Sequence, residues 1–287
     1  MTIDKVSGAD LLAAGELFRQ GEVRLSITQY RKGLRFEIDP LERAKAYLEL
    51  ARIYRISVRM KNARLELTRA FAELGLQWPK NNWTSLLASI VDPEPLRARC
   101  PSFELQERKA KIRLVAELYE ELGLSAYYLR QIPTLLQSIL RFRGICQELG
   151  PSASLLNWYG GAACIASLLG LRARSLRWIG RCLEVSTQLT EPVDQGKALI
   201  WHALLQDYDG QPVRSAELFE QCLARYGADL YPFDLRMTAV TLSINYLARG
   251  HYEQVSVAVG FLVNPVSATF RPPFAAESAD YFELPLC

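Results

Sequence analysis

Three glycines separated by equal steps of forty residues constrain the fold of this chain more than any other feature. Gly170, Gly210 and Gly250 each lie between two stretches in which apolar residues recur with helical periodicity. A fixed period of this length is the signature of a repeat protein, in which each unit packs only on its neighbours. A repeat array also explains how 287 residues can fold without forming separate globular domains.

Small residues recur at fixed positions before and after each turn, and bulky ones lie beside them. Small side chains let two helix axes approach closely, while Tyr, Phe or Leu interlock next to the crossing. Cys182 and Cys222 occupy equivalent positions, so we interpret both as packing residues. The positions are filled by Ser26, Tyr30 and Gly33 after Gly21; by Ala51, Tyr54, Ala63, Leu67 and Ala70 around Val58; by Ala163, Ser175, Ile179 and Cys182 around Gly170; by Ala203, Ser215, Phe219 and Cys222 around Gly210; and by Ser243, Tyr246, Val255, Val259 and Leu262 around Gly250.

This order of small and aromatic residues resembles the tetratricopeptide repeat consensus. The resemblance implies an all-α fold, a right-handed α-solenoid of about six antiparallel helix pairs. Residues 70–79, Leu86-Leu87, 114–119 and 147–153 are also similar to the tetratricopeptide regions that follow AAA-type ATPase modules in large bacterial signalling proteins. That similarity covers about residues 43–263. Because the sequence has no GxxxxGK[ST] loop, the resemblance implies a regulatory or sensing module without an ATPase of its own.

The pattern divides the chain into four segments. Residues 1–75 hold N-terminal repeat units, 76–101 a proline-rich insertion or hinge, 102–263 the C-terminal units, and 264–287 a tail rich in proline and aromatic residues. The repeat pattern ends after Val263. Because so many aromatic residues are unusual in a disordered end, we expect the tail to dock, as an extended peptide, in its own groove or in that of another copy.

Three further helices are predicted in the middle of the chain. Apolar periodicity indicates helices over 106–122 and 132–149, in the unit that fits the repeat consensus least well. A short helix is expected at about 83–90. Trp78 and Trp83 are expected to hold the proline-rich segment against the repeats.

Side chains that could do chemistry are few. His202 and His251 are the only histidines, which excludes a multi-histidine metal site and leaves little room for a catalytic triad. The six cysteines contain no CxxC pair and are expected to be reduced. The acidic run Glu117, Glu120 and Glu121 is interpreted as a solvated helix face, and the run 207–210 as a turn rather than a calcium loop. We therefore predict no catalytic residue, no metal site and no cofactor.

Composition bears on partners and location. The formal net charge is only +3, and aromatic residues are too sparse among the basic runs to indicate nucleic-acid binding. The N-terminus lacks the pattern of a secretion signal, and no stretch of about 18 apolar residues offers a membrane span. A cytoplasmic protein that binds neither nucleic acid nor membrane is expected.

Arginines at helical spacing form one candidate binding stripe. Arg52, Arg55 and Arg59 share a helix face and could hold a carboxylate or phosphate. Ion pairing with neighbouring helices is the alternative, and it is favoured for any single arginine.

The tetratricopeptide resemblance implies that the first helix of each pair lines a concave groove. The predicted partner-binding residues are Lys45, Leu48, Arg52, Arg55, Asn157, Cys164, Lys197, Trp201, Leu204, Asp207, Tyr208, Thr241 and Ile244. The amphipathic rings of Trp201 and Tyr208 suit a peptide, although packing against neighbouring helices explains them equally well.

Two functions follow from this assignment. The first is a noncatalytic interaction module that binds a protein or peptide segment in the groove and has a scaffolding or regulatory role. The second is an all-helical small-ligand sensor or enzyme with a pocket near Gly160, Trp201 and Tyr208, where small residues would leave room.

Overall fold

The computed structural model describes residues 3–20, 22–36, 38–91 and 105–263. These residues are all-helical, and no strand occurs among them. The predicted tail, Gly21, Cys100 and Cys287 lie outside the described residues. The thirteen helices are α1 (Ile3–Arg19), α2 (Val23–Gly33), α3 (Pro40–Ile56), α4 (Met60–Glu73), α5 (Trp83–Val91), α6 (Leu105–Tyr128), α7 (Ile132–Leu149), α8 (Ala153–Leu168), α9 (Arg172–Ser186), α10 (Pro192–Tyr208), α11 (Pro212–Tyr226), α12 (Pro232–Ala248) and α13 (Tyr252–Val263).

Proline and capping residues set where several helices begin. Helices α3, α7, α10, α11 and α12 carry proline in their first turn, where a missing backbone N–H costs little. At α3 the Asp39 carboxylate also accepts hydrogen bonds from the N–H groups of Leu41 and Glu42, at 2.9 and 3.3 Å.

Consecutive helices pack as adjacent pairs, which confirms the predicted all-helical pairing. Helix α3 packs on α4, α6 on α7, α10 on α11, and α12 on α13. Buried serine hydroxyls join two further pairs: Ser26 Oγ donates to the Ala14 carbonyl at 2.7 Å, and Ser175 Oγ donates to the Ala163 carbonyl at 2.9 Å. All four residues are completely buried, as expected for small side chains at a close helix crossing.

The turns inside five of the described pairs share one backbone geometry. Each contains a left-handed residue whose N–H donates to the carbonyl three positions earlier, and the next N–H donates to the carbonyl five positions before itself. This is the Schellman arrangement, which satisfies the last carbonyls of the first helix. The left-handed residues are Val58, Arg130, Gly170, Gly210 and Gly250, with φ between 54° and 74°. Arg130 therefore extends the forty-residue series by one step toward the N-terminus.

We expect Val58→Gly to stabilise the protein by roughly 1 kcal/mol, because a left-handed conformation strains a β-branched residue and not glycine. The matched change Gly210→Ala should destabilise it by roughly the same amount. A Cβ at Gly210 would meet no other atom within 4 Å, so this control reports the backbone alone. The midpoint of urea unfolding measures both effects. A lower midpoint for Val58→Gly would show that the turn is not strained.

The chain divides into two compact units. The first comprises the described residues up to 15 and from 24 to 158, and the second the described residues from 16 to 23 and from 159 onward. In the first unit α4 and α3 both contact α6, and α5 packs on α7. In the second unit α9 contacts α10, and α11 contacts α12.

The described part of the proline-rich segment, residues 76–91, docks within the first unit. The Trp78 ring packs edge-on against Phe71, with ring centroids 5.4 Å apart. The buried Gln137 of α7 donates to the Lys80 carbonyl at 2.9 Å and accepts from Ser85 at 3.2 Å. Trp83 is 60% exposed, so Trp78 and these polar contacts, rather than both tryptophans, hold the segment.

Candidate functional site

In the first unit two arginines of the predicted stripe, Arg52 and Arg55, form ion pairs, whereas Arg59 lies beyond the end of α3 and does not share its face. Arg52 contacts Glu49 at 2.7 Å and Glu117 at 2.9 Å. Arg55 is buried and donates from Nε to the buried Glu121 carboxylate of α6. Burial alone would lower the pKa of Arg52, but Glu49 and Glu117 outweigh it and raise that pKa above its ordinary value. Ion pairing between helices, the favoured alternative, therefore accounts for both side chains.

The acidic run on α6 is not a solvated face, which corrects the sequence interpretation. Glu121 is almost fully buried against Arg55, and Glu117 is half-buried against Arg52. Glu120 accepts a hydrogen bond from the buried Asn157 amide at 2.9 Å. The carboxylates of Glu117 and Glu121 neutralise the arginines of α3, and Glu120 connects α6 to α8.

The other predicted binding residues of the first unit differ in exposure. Leu48 is completely buried in the core, and Lys45 is exposed. Asn157 is buried and committed to Glu120. Of this group, Lys45 alone offers an exposed side chain.

In the second unit Trp201 lies directly on Gly160. A Cβ built at Gly160 would lie 2.6 Å from Cδ2 of the indole and closer still to Cγ and Cδ1. The Cys164 thiol faces the Trp201 carbonyl at 3.9 Å. The room that the sequence predicted beside Gly160 is therefore filled by the Trp201 ring, and Trp201 itself is half-buried.

Burial also determines the protonation state of the thiols in this unit. Cys164, Cys182 and Cys222 are buried thiols that form no disulfide, and burial raises the pKa of each to about 12. These thiols are protonated at neutral pH, so they behave as small apolar packing groups.

Polar contacts connect the first helices of this unit near both ends. Lys197 of α10 pairs with Asp234 of α12 at 3.6 Å, and its ammonium lies 5.0 Å from the Tyr231 ring centroid. Asp207 accepts from the Asn245 amide at 3.3 Å. Because the starts of α10 and α12 meet each other and so do their ends, the two helices run parallel. Lys197 and Asp207 are thus occupied by neighbouring helices.

Apolar surface remains on the same helices. Tyr208 is 41% exposed and Ile244 is 59% exposed. Leu204 and Thr241 are half-buried, and the Thr241 hydroxyl donates to the Met237 carbonyl within its own helix. The second unit therefore presents a largely apolar surface on α10 and α12, framed by the Lys197–Asp234 and Asp207–Asn245 contacts.

Two acidic side chains near this surface have structural partners. Asp209 accepts from the Ser167 hydroxyl and Asp207 from Asn245. Burial, followed by the charge of Arg214, lowers the pKa of the half-buried His202. Within the described residues, no three His, Cys, Asp or Glu side chains are grouped closely enough to hold a metal ion.

Sequence reasoning missed the Arg–Glu network, although a signal was present. The basic residues Arg52 and Arg55 and the acidic residues Glu117 and Glu121 have nearly the same spacing, which suits two helices that meet along a line. Matching runs of opposite charge at similar helical spacing would have identified these partners.

Neither comparison with known proteins nor the length and polarity of the helices narrows the choice of function. None of the described helices has both the length and the apolar character that crossing a membrane requires. No protein-family model matches the sequence, and no curated protein is detectably similar to it.

Proposed function

We propose that this protein is a noncatalytic interaction module that binds a protein segment on α10 of the second unit. The observation that carries the proposal is the exposed ring of Tyr208 beside Leu204, on a first helix whose Lys197 and Asp207 already contact α12. Aromatic side chains with an apolar body and a polar tip are enriched at protein interfaces. The chemistry of this surface suits apolar side chains of a partner better than a charged group.

The finer fold assignment belongs to the same proposal. We assign the helix pairs to the tetratricopeptide type, in a right-handed α-solenoid of about six pairs, with a scaffolding or regulatory role in the cytoplasm. Support comes from the repeated Schellman turns at 130, 170, 210 and 250 and from the equivalent serine bonds of Ser26 and Ser175.

The small-ligand alternative has less support. It required space near Gly160, and the Trp201 indole lies there. A ligand pocket at this point would need Trp201 to move, whereas binding on the surface at Tyr208 needs no such change.

The decisive variant is Tyr208→Ala. The full chain is used to isolate binding proteins, and the dissociation constant of each purified candidate is then measured. We expect Tyr208→Ala to weaken binding at least about tenfold, because a buried aromatic anchor contributes heavily to an interface. Leu176→Ala, at an exposed apolar position on α9, is the matched control and should bind as wild type does.

Two outcomes would contradict this proposal. If Tyr208→Ala binds as tightly as wild type while Leu176→Ala is weakened, the binding surface is on the second helices. If native mass spectrometry of the purified chain shows a stoichiometric small molecule that Trp201→Leu releases, the sensor alternative is correct.

A further inference from the structure

An apolar stripe runs along one side of α12. It comprises Met237, Val240, Ile244 and Leu247, at intervals of three, four and three residues that place them on one helix face. Ile244 and Leu247 are 59% and 55% exposed, and Met237 and Val240 are half-buried. Among the described residues, no element buries this stripe as deeply as the equivalent positions of the preceding first helices are buried.

Four of the equivalent positions on α8 and α10 lie against the next first helix. Lys197 and Asp207, forty residues before Met237 and Leu247, contact Asp234 and Asn245 of α12. Gly160 and Cys164, eighty residues before Val240 and Ile244, lie against Trp201 of α10. This side of a first helix in the second unit is therefore the side on which the following first helix packs.

Although the pattern of small and bulky residues ends at Val263, single residues beyond α13 match the forty-residue register. Pro192 and Pro232 begin α10 and α12, and Pro272 stands forty residues further on. The position of Trp201, which covers Gly160, is repeated at Tyr281 two periods later. Asp234, which contacts Lys197, is matched by Phe274. Aromatic residues thus stand where contacts with the apolar stripe would be made.

Charge points to the same segment. Arg236 is half-buried and has no ion-pair partner among the described residues, and burial lowers its pKa. Its counterpart Gly196 faces the chain as it leaves α11, since a Cβ there would lie 2.9 Å from Leu230 and 3.0 Å from Tyr226. Arg236 accordingly occupies the register position that, on α10, lies against the chain following the paired second helix. Residues 272–287 contain no basic residue and three acidic ones, Glu277, Asp280 and Glu283.

We propose that residues 272–284 dock on the α12 stripe as α12 docks on α10. Tyr281 covers Val240 and Ile244, Phe274 covers Met237, and an acidic side chain of the segment neutralises Arg236. This inference does not rest on the proposed function. It moves the tail from the groove to the α12 stripe, and it assigns Ile244 to an internal contact rather than to partner binding.

Disulfide trapping in the full chain tests this docking. The variant Ile244→Cys/Tyr281→Cys is prepared in a Cys100→Ser/Cys287→Ser background, in which the four remaining cysteines are buried. The matched control is Val213→Cys/Tyr281→Cys, because Val213 on α11 is 54% exposed and lies away from the stripe. We expect the intramolecular disulfide of the first pair to form at least about tenfold faster than that of the control, since proximity raises the effective concentration of one thiol near another.

Each other outcome has a defined meaning. Equal rates for the two pairs would overturn the proposal, and a disulfide-linked dimer would show that a second copy covers the stripe instead. Arg236→Glu should slow disulfide formation in the Ile244/Tyr281 pair. An unchanged rate would show that the charge of Arg236 does not contribute to docking. If that pair fails to fold by circular dichroism, Leu247→Cys/Leu284→Cys tests the same register under the same criteria.

Discussion

Gly160→Ala is expected to destabilise the protein by about 3 kcal/mol. The added methyl group would overlap the Trp201 indole, whose Cδ2 lies only 2.6 Å from the ideal Cβ position. Relieving that overlap requires the half-buried ring or the α8 backbone to shift, and overpacking of this kind costs about 1–3 kcal/mol or more. The change should lower the urea midpoint measured by circular dichroism, and Trp201 fluorescence should report the displaced ring.

The neighbouring glycine provides a matched control. A Cβ at Gly161 would lie 3.7 Å from Cη2 of Trp201, an ordinary van der Waals distance. Gly161→Ala should therefore stabilise the protein by about 0.5–1 kcal/mol, because alanine favours a helix interior. Trp201→Leu in the Gly160→Ala background should recover part of the loss. Equal midpoints for the two single variants would show that Trp201 does not lie on Gly160.

Local features of the sequence predicted the helices and their packing in adjacent pairs. Glycines at 170, 210 and 250 were identified because glycine adopts a left-handed turn more readily than other residues do. Ser175 and Ala163 were identified because a close helix crossing tolerates only small side chains. The predicted helix 132–149 agrees with α7. The predicted helix 106–122 was too short, since α6 continues to Tyr128 and ends at the left-handed Arg130. Arginine is rare in that conformation, so sequence gives no signal there.

The candidate site was harder to predict because its contacts join residues far apart in the chain. Helical spacing placed Arg52 and Arg55 on one face, but only the packing of α3 on α6 shows that Glu117 and Glu121 neutralise them. Periodicity likewise assigned Trp201 to a first helix without showing that its ring fills the space at Gly160. A repeat register identifies which positions face a neighbour, whereas the identity of that neighbour depends on tertiary structure.

Removing the charge of Glu121 is expected to have the largest effect in the first unit. Glu121→Gln would leave the buried guanidinium of Arg55 without its carboxylate. Removing one partner of a buried ion pair costs about 3–5 kcal/mol, because the remaining charge is neither solvated nor neutralised. We expect a correspondingly lower urea midpoint, and incomplete folding at 37 °C if the unit has little stability to spare.

Two further variants separate the buried charge from the loss of a surface contact. Glu117→Gln removes the half-exposed partner of Arg52 and should cost no more than about 1 kcal/mol, since solvent screens that pair and Glu49 remains. Arg55→Met/Glu121→Leu removes both buried charges and should unfold near the wild-type midpoint, because apolar side chains of similar volume can replace a buried pair at little cost. A double variant as unstable as Glu121→Gln would mean that lost packing, rather than the uncompensated charge, causes the effect.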